Sequence, residues 1–400
     1  MKKGINLRTN KRCQRSILTI HGMLKFSRYV LRPKTKEDGK RLMQTEGKQV
    51  VVPLDMYLGL TKLPFKITVD AMLEVAFWAQ NQCSYQAAED AISKVLGVSI
   101  NDDTVRAITN EIGSIVFAND CREAEDTYNS LNAGALTKPN ASKEATLYIE
   151  TDGATLNTRH KDDSGSTWRE NKLGMVFSSD NIHYWHDKHG EKRHKITKRE
   201  YVSYIGSVSE FKKHLFACAI RNGYGAYKQT VIIGDGATWI RNMKEELFPD
   251  AQQILDYYHL CENVYTYAKH VFKMDESQYA PWAKRICKML KASHYNEVIA
   301  EIELLTKKVG SKCSINLHSY ISYNINNIDY AEYLKKGYFI GSGAIESGNK
   351  IVLQQRLKQA GMRWNTSSAQ FLLTLKTKKQ SNRWEQDVVL PIREYYKICQ

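Results

Sequence analysis

Apolar positions along this chain change their period several times, and each change marks a different kind of element. Two β-rich runs, SILTI (16–20) and LKFSRYV (24–30), flank His21-Gly22, a glycine-containing break of the kind that joins hairpin strands. From Pro53 to about Tyr128 apolar residues recur at intervals of three and four, which predicts helices over MLEVAFWA (72–79), Tyr85–Leu96 and Asp102–Phe117. The last two read as helix, Gly97-Val98-Ser99 turn, helix, with Ala88, Val98, Val105 and Ile108 as the internal contacts of a helix-turn-helix. SLNAGALTKPNASK (130–143) reads as a linker. From Ala145 the pattern shifts to short β runs, ATLYIETDG (145–153), KLGMVFSS (172–179) and YKQTVIIGDGA (227–237), so an α/β core is expected to begin there. After Trp239 the chain reads as helical almost to its end.

Composition and charge narrow the function. At 400 residues the chain exceeds a domain of about 100–200 residues, so more than one core is expected. With 42% hydrophobic and 25% charged residues it is neither wholly disordered nor a fibre. The 58 Lys and Arg outnumber the 43 Asp and Glu, giving +15, the balance of a chain that meets a polyanion, with nucleic acid the leading partner. Most of the excess is local: Met1 to Arg41 holds 13 basic and two acidic residues, +11 of the +15. Arg15, Lys25 and Arg28 in this arm, and Arg106 in the presumed recognition helix, are candidate DNA contacts. The arm is expected to be a basic hairpin module, with a solvated charge run as its alternative. That helix also carries Asp102, Asp103 and Glu111, which repel phosphates, so a DNA reader and a plain three-helix packing unit both stay open. The eight cysteines include no CxxC pair, which indicates a reducing cytoplasm rather than a zinc ribbon or a disulfide framework. No apolar run of about 18 residues occurs, and Met1 leads into a polar, basic segment, so neither membrane insertion nor secretion is expected.

Acidic residues carry the candidate chemistry. Asp152 follows the apolar strand LYI and Asp235 follows VII, and a glycine succeeds each. Singly, each Asp-Gly is a turn after a strand. Together they can project from one sheet edge into a cleft and hold divalent metal through oxygen ligands. A third acid, Glu346, lies in GSGAIESGNKIVLQQRLKQAGMRW, where Ile345, Val352, Leu353, Leu357 and Ala360 predict a helix from about Ala344 to Gly361. On that helix Lys350 is expected close to the face of Glu346, beside the metals, or else to be a solvated lysine; Arg356 and Arg363 lie further along as DNA contacts. The histidines 183, 186, 189 and 194 have ligand-like spacing but sit in a highly polar segment without cysteine, which reads better as a basic loop than as a zinc site. The near P-loop at Gly343 to Lys350 fails because Asn349 displaces Lys350 and Ile351 replaces the metal-binding hydroxyl.

The segments YIETDGAT, VIIGDGATWI, LDYYHL and GSGAIESGNK resemble, in order, the DDE blocks of bacterial insertion-sequence transposases of the ISLre type, related to the Mutator-like group. The resemblance spans about Arg15 to Trp384. It implies an RNase H-like catalytic core within an α/β fold with helical additions, with Asp152, Asp235 and Glu346 as catalytic metal ligands. The family's Asp-x-x-His element matches Asp256 and His259, which makes His259 a catalytic candidate beside its alternative as a hydrogen-bonded core histidine. The implied organisation is a basic hairpin arm (1–52), a helical helix-turn-helix-like domain (53–129), a linker (130–144) and a catalytic domain (145–400) with a helical insertion at about 260–335. The implied activity is DNA cleavage at terminal inverted repeats and strand transfer into target DNA. It uses two Mg²⁺ (or Mn²⁺) ions and a homodimer or larger synaptic complex, in a bacterial, cytoplasmic, nucleoid-associated protein. A catalytically silent DNA-binding protein and an RNase H-like junction nuclease remain the alternatives.

Overall fold

The computed structural model describes residues 5–61, 63–136, 139–309 and 313–397. Met1–Gly4 of the basic arm, Thr137-Lys138 of the expected linker, residues 310–312 of the expected insertion and Cys399 lie outside the described residues. The chain forms two compact units. One is Met1–Ala118 with Ser367–Lys379 and Arg383–Gln400, and the other is Asn119–Thr366 with Gln380–Asn382.

The first unit opens with the expected hairpin. Strands β1 (Leu7–Thr19) and β2 (Gly22–Pro33) pair antiparallel with Thr19 opposite Gly22, leaving Ile20-His21 as the loop, and Gly22 takes φ +98° to close it. The hairpin is not loose. Leu18 is buried, donates its N–H to the Lys66 carbonyl at 3.0 Å and accepts from Thr68 N–H at 2.9 Å, which ties the strand to the entry of helix Val69–Asn81. Arg15 and Arg28, from opposite strands, converge on the buried carboxylate of Asp55 in helix Pro53–Tyr57 at 2.5 and 2.8 Å.

Helix Tyr85–Leu96 is capped by Ser84, which accepts from Ala87 N–H, and ends at Gly97 in the left-handed conformation. Helix Asp102–Asn132 begins where the Asn101 side chain accepts from Thr104 N–H at 2.8 Å. Ala88, Val105 and Ile108 are fully buried in one core and Val98 packs on it, as the helix-turn-helix spacing requires. The third helix extends well past Phe117. The same core includes Leu375 of helix Thr366–Gln380 and Ile392 of helix Leu390–Tyr395, segments that the sequence assigned with the catalytic domain. Gly113 makes this possible, since a Cβ there would lie 2.7 Å from Phe371 Cβ.

The second unit is built on a five-stranded mixed sheet of β3 (Lys143–Asn157), β4 (Trp168–Ser178), β7 (Glu200–Ile205), β8 (Tyr227–Gly234) and β9 (Gln252–Leu255), in the order β7-β4-β3-β8-β9. β4 runs antiparallel to both β3 and β7, while β8 and β9 lie parallel to β3. The polar segment between β4 and β7 is itself a hairpin, β5 (Ile182–His186) with β6 (Lys192–Ile196). Leu147 and Ile149 of β3, Val176 and Ile232 pack on Phe211 and Leu215 of helix Val208–Arg221 and on Ile240 of helix Thr238–Leu247. Helices Tyr257–Val271, Glu276–Lys291, Tyr295–Val309, Leu317–Tyr323 and Tyr330–Lys335 follow β9, where the helical insertion was expected. The architecture is mixed α/β with many added helices, and no helix of the described residues is long and apolar enough to cross a membrane.

The Asp55 clamp yields a test. Removing one partner of a buried ion pair strands the other charge and costs about 3 kcal/mol or more. Asp55→Ala should therefore speed amide exchange in β1 and β2 by roughly 100-fold, measured by native-state hydrogen exchange, while Lys25→Ala, at an exposed position, should leave it unchanged.

Candidate functional site

Strand alternation builds the site from β3. Since Leu147 and Ile149 face the helical core, Glu150 and Asp152 point to the opposite face, and there helix Gly343–Asn349 lies. Glu150 accepts Ile345 N–H at 2.9 Å and Asp152 accepts the Asn349 side-chain amide at 2.6 Å. Those two bonds bracket Glu346 and hold its turn against the strand. Gly348 permits the approach, since a Cβ there would lie 2.8 Å from the Tyr201 ring and 3.3 Å from Leu173.

Parallel register brings in the other acids. Glu150 pairs with Ile233 and Gly234 with Leu255, so Asp152, Asp235 and Asp256 sit level on three adjacent strands or their ends, about 4.8 Å apart per strand. Asp235 Oδ1 accepts Ala237 N–H at 3.0 Å, closing the turn into helix Thr238–Leu247, and its carbonyl accepts the Tyr320 hydroxyl at 2.7 Å. Asp256 is completely buried. One of its oxygens caps helix Tyr257–Val271 by accepting Tyr258 N–H at 2.6 Å and His259 N–H at 3.0 Å, and the other accepts Ser342 N–H at 2.7 Å and the Ser342 hydroxyl.

Asp152 feels the charges of Asp235 and His259, while ligand atoms of Asp256, His259 and Glu346 all lie within 4.8 Å of one another. His259 is common to both groups, in the first turn of its helix and half-exposed, with Nδ1 3.5 Å from Glu262. The group Asp256, His259 and Glu346 could hold a metal ion. Its donors are carboxylate oxygens and one imidazole, without thiolate. Asp256 enters that group with its lone-pair sites already filled by four donors, so it braces the site.

The acids are also mutually costly. Burial, first, pushes the Glu150 carboxyl up to about 8, the Ile345 N–H opposes the rise, and the charges of Asp256 and Glu346 add to it. Asp152 is raised by burial and by Asp235, against the amide of Asn349, Gly153 N–H and His259. A divalent cation here would relieve charge that the protein leaves uncompensated.

Several expected residues lie elsewhere. Arg356 is buried with its guanidinium 5.2 Å above the Trp364 ring, so it does not present its charge to DNA. The reason is a π turn, Lys350–Gln354, that breaks the expected helix and shifts its phase. Arg15 and Arg28 serve the Asp55 clamp rather than standing free for phosphate. Lys25, Lys350 and Arg363 are exposed, as is Arg106, which pairs with Asp103 at 2.8 Å. The four histidines lie exposed on the β5–β6 hairpin, and His194 stacks on Phe339. Glu150 and Asn349 were missed as site residues. The alternation of YIETDG puts Glu150 on the face of Asp152, and Asn349 falls one helical turn after Glu346, so both signals were present.

Gly348→Ala should push the Glu346 turn off the sheet, lowering stability by about 1–3 kcal/mol and weakening Mn²⁺ binding. Thermal melting and calorimetric titration with Mn²⁺ check this together.

No curated protein sequence matches the chain. A family profile described as Uncharacterised protein family (UPF0236) matches residues 44–384, including Asp152, Asp235, His259 and Glu346, and the chain belongs to that family.

Proposed function

We propose that this protein is a DNA transposase of an ISLre-type insertion sequence, with an RNase H-like catalytic core. The observation that carries the reading is the level placement of Asp152 on the first strand in chain order and Asp235 just after the fourth, with Glu346 on a later helix beside Asp256 and His259. The strand order, with three antiparallel strands followed by two parallel to the first, supports the RNase H-like assignment. Two divalent cations, when bound, would supply Lewis-acid activation of a water or 3′-hydroxyl and neutralise charge at the leaving oxygen. Asp152, Asp235 and Glu346 would hold these ions. Asn349 fixes the orientation of one Asp152 oxygen, and His259 would contribute a nitrogen donor. Terminal inverted repeats and target DNA are the substrates, two ends are held by a dimer or larger synaptic complex, and the protein works at the bacterial nucleoid.

The test is cleavage and strand transfer on DNA carrying the inverted repeats that flank the coding region. Asp152→Ala, Asp235→Ala and Glu346→Ala should each lower both steps by roughly 100-fold or more while melting temperature and DNA binding persist. Near wild-type strand transfer in any of them removes that residue from the catalytic set, and cutting of branched DNA without transfer replaces the transposase with a nuclease.

For DNA affinity, deleting the whole arm is a poor probe because Leu18 belongs to the core. The exposed Lys25 is the better one. Lys25→Ala should reduce the slope of log K against log salt by about one phosphate contact, and an unchanged slope assigns it to solvent.

A further inference from the structure

Beside the acid site, within the second unit, lies a cavity of about 570 Å³, in the size range of small-ligand pockets and far too small for a duplex. Its walls combine ring faces with cations. Phe339 and Tyr201 supply rings, His194 and Lys195 come from β6, and Arg199 and Lys291 add charge. The rings have neighbours that fix them: Phe339 stacks on His194 at 5.0 Å and packs tilted against Tyr148 at 5.2 Å, and the Arg199 guanidinium sits 5.6 Å from the Tyr201 ring. Arg199 donates from one terminal nitrogen to the Ile196 carbonyl at 3.1 Å, but its buried Nε has no partner among the described residues. A buried guanidinium donor left open beside a cavity calls for an acceptor on whatever enters.

We propose that this cavity receives a single unpaired nucleotide of the bound DNA, its base against the Phe339 face and its phosphate or base carbonyl on Arg199. This rests on the DNA-cleaving reading above and names the conformation of its substrate. Ring faces with cations are the chemistry that binds a base and its phosphate irrespective of sequence. Glu150, which also lines the cavity, accepts the Ile345 N–H with one oxygen. Position argues the same way. The cavity is lined by Ser347 and Tyr258, the neighbours in sequence of Glu346 and His259, so pocket and acids flank the same two helix starts. A strand whose phosphodiester lies at the acids has its adjacent nucleotide at the cavity mouth. The cost of unpairing is least for a base already unpaired, so the pocket selects distorted or frayed ends.

The experiment titrates the full-length protein, in EDTA, with a short duplex bearing one unpaired deoxyadenosine and with the fully paired duplex, by fluorescence anisotropy. The unpaired nucleotide should tighten binding roughly ten-fold. His194→Ala and Arg199→Gln, at exposed and half-exposed positions, should each erase most of that preference while leaving paired-duplex affinity and melting temperature nearly unchanged. Free deoxyadenosine monophosphate should compete away the preference without displacing paired duplex. Equal affinity for the two duplexes, or a preference that survives both substitutions, overturns the pocket while the DNA-cleaving reading stands. Mononucleotide binding undiminished by saturating unpaired duplex overturns it in favour of a free nucleotide ligand. No binding to either duplex overturns the functional reading as well.

Discussion

The buried carboxylate of Asp256 holds the acid site together. It terminates β9, caps helix Tyr257–Val271 and receives both the N–H and the hydroxyl of Ser342. Burying a carboxylate costs several kcal/mol after relaxation. Four donors, two of them the open N–H groups of a helix start, offset this at about 1.5–3 kcal/mol each, and the helix dipole adds to them. Asp256 therefore dictates where the chain must return after the helical segment, and Glu346 follows Ser342 by one turn. Removing the brace would leave both helix starts without a shared anchor.

What the brace assembles is a concentration of negative charge in a strongly basic protein. Burial first, then the charges of Asp256 and Glu346, raise Glu150, and burial first, then the charge of Asp235, raises Asp152. Structural ion networks do the opposite, as at Asp387, whose carboxyl is held low by Arg383 and Lys378 despite its burial. The two kinds of carboxylate in one chain separate a site that lacks cations from pairs that need none.

Much of this was legible in the sequence where local chemistry decides the structure. Gly22 and Gly97 mark a turn and a helix stop because their backbone angles suit glycine, and the strands before Asp152 and Asp235 are apolar because they are buried. Legibility fails where partners are distant or periodicity breaks. Helix Thr366–Gln380 buries Ser368, Gln370, Thr374 and Lys376 as well as its leucines, so it has no apolar stripe to show that it joins the first core. Charge counting made Arg15 and Arg28 free cations, although Asp55, far along the chain, binds both. Arg356 was read on an unbroken 3.6-residue repeat that the π turn interrupts. For the acid site, residue type and strand position revealed the acids, but only parallel register showed that Asp152, Asp235 and Asp256 share a level.

The helical segment between Asp235 and Glu346 enters and leaves at one place: Tyr257 N–H bonds the Ile340 carbonyl at 2.8 Å, beside the Asp256 brace. A segment anchored this way can change length without moving the acids, since the entropy of closing a loop grows only logarithmically with its length. Yet it is not a passive addition. The Tyr320 hydroxyl donates to the Asp235 carbonyl at 2.7 Å and the Tyr330 hydroxyl to the Leu255 carbonyl at 3.0 Å. These two phenols grip the backbone at the second acid and immediately before the brace, and burial pushes both their pKa values upward, which keeps them as donors. Packing changes inside the segment therefore reach the acids through two hydroxyl groups, so its length is free to vary while the seating of these tyrosines is not.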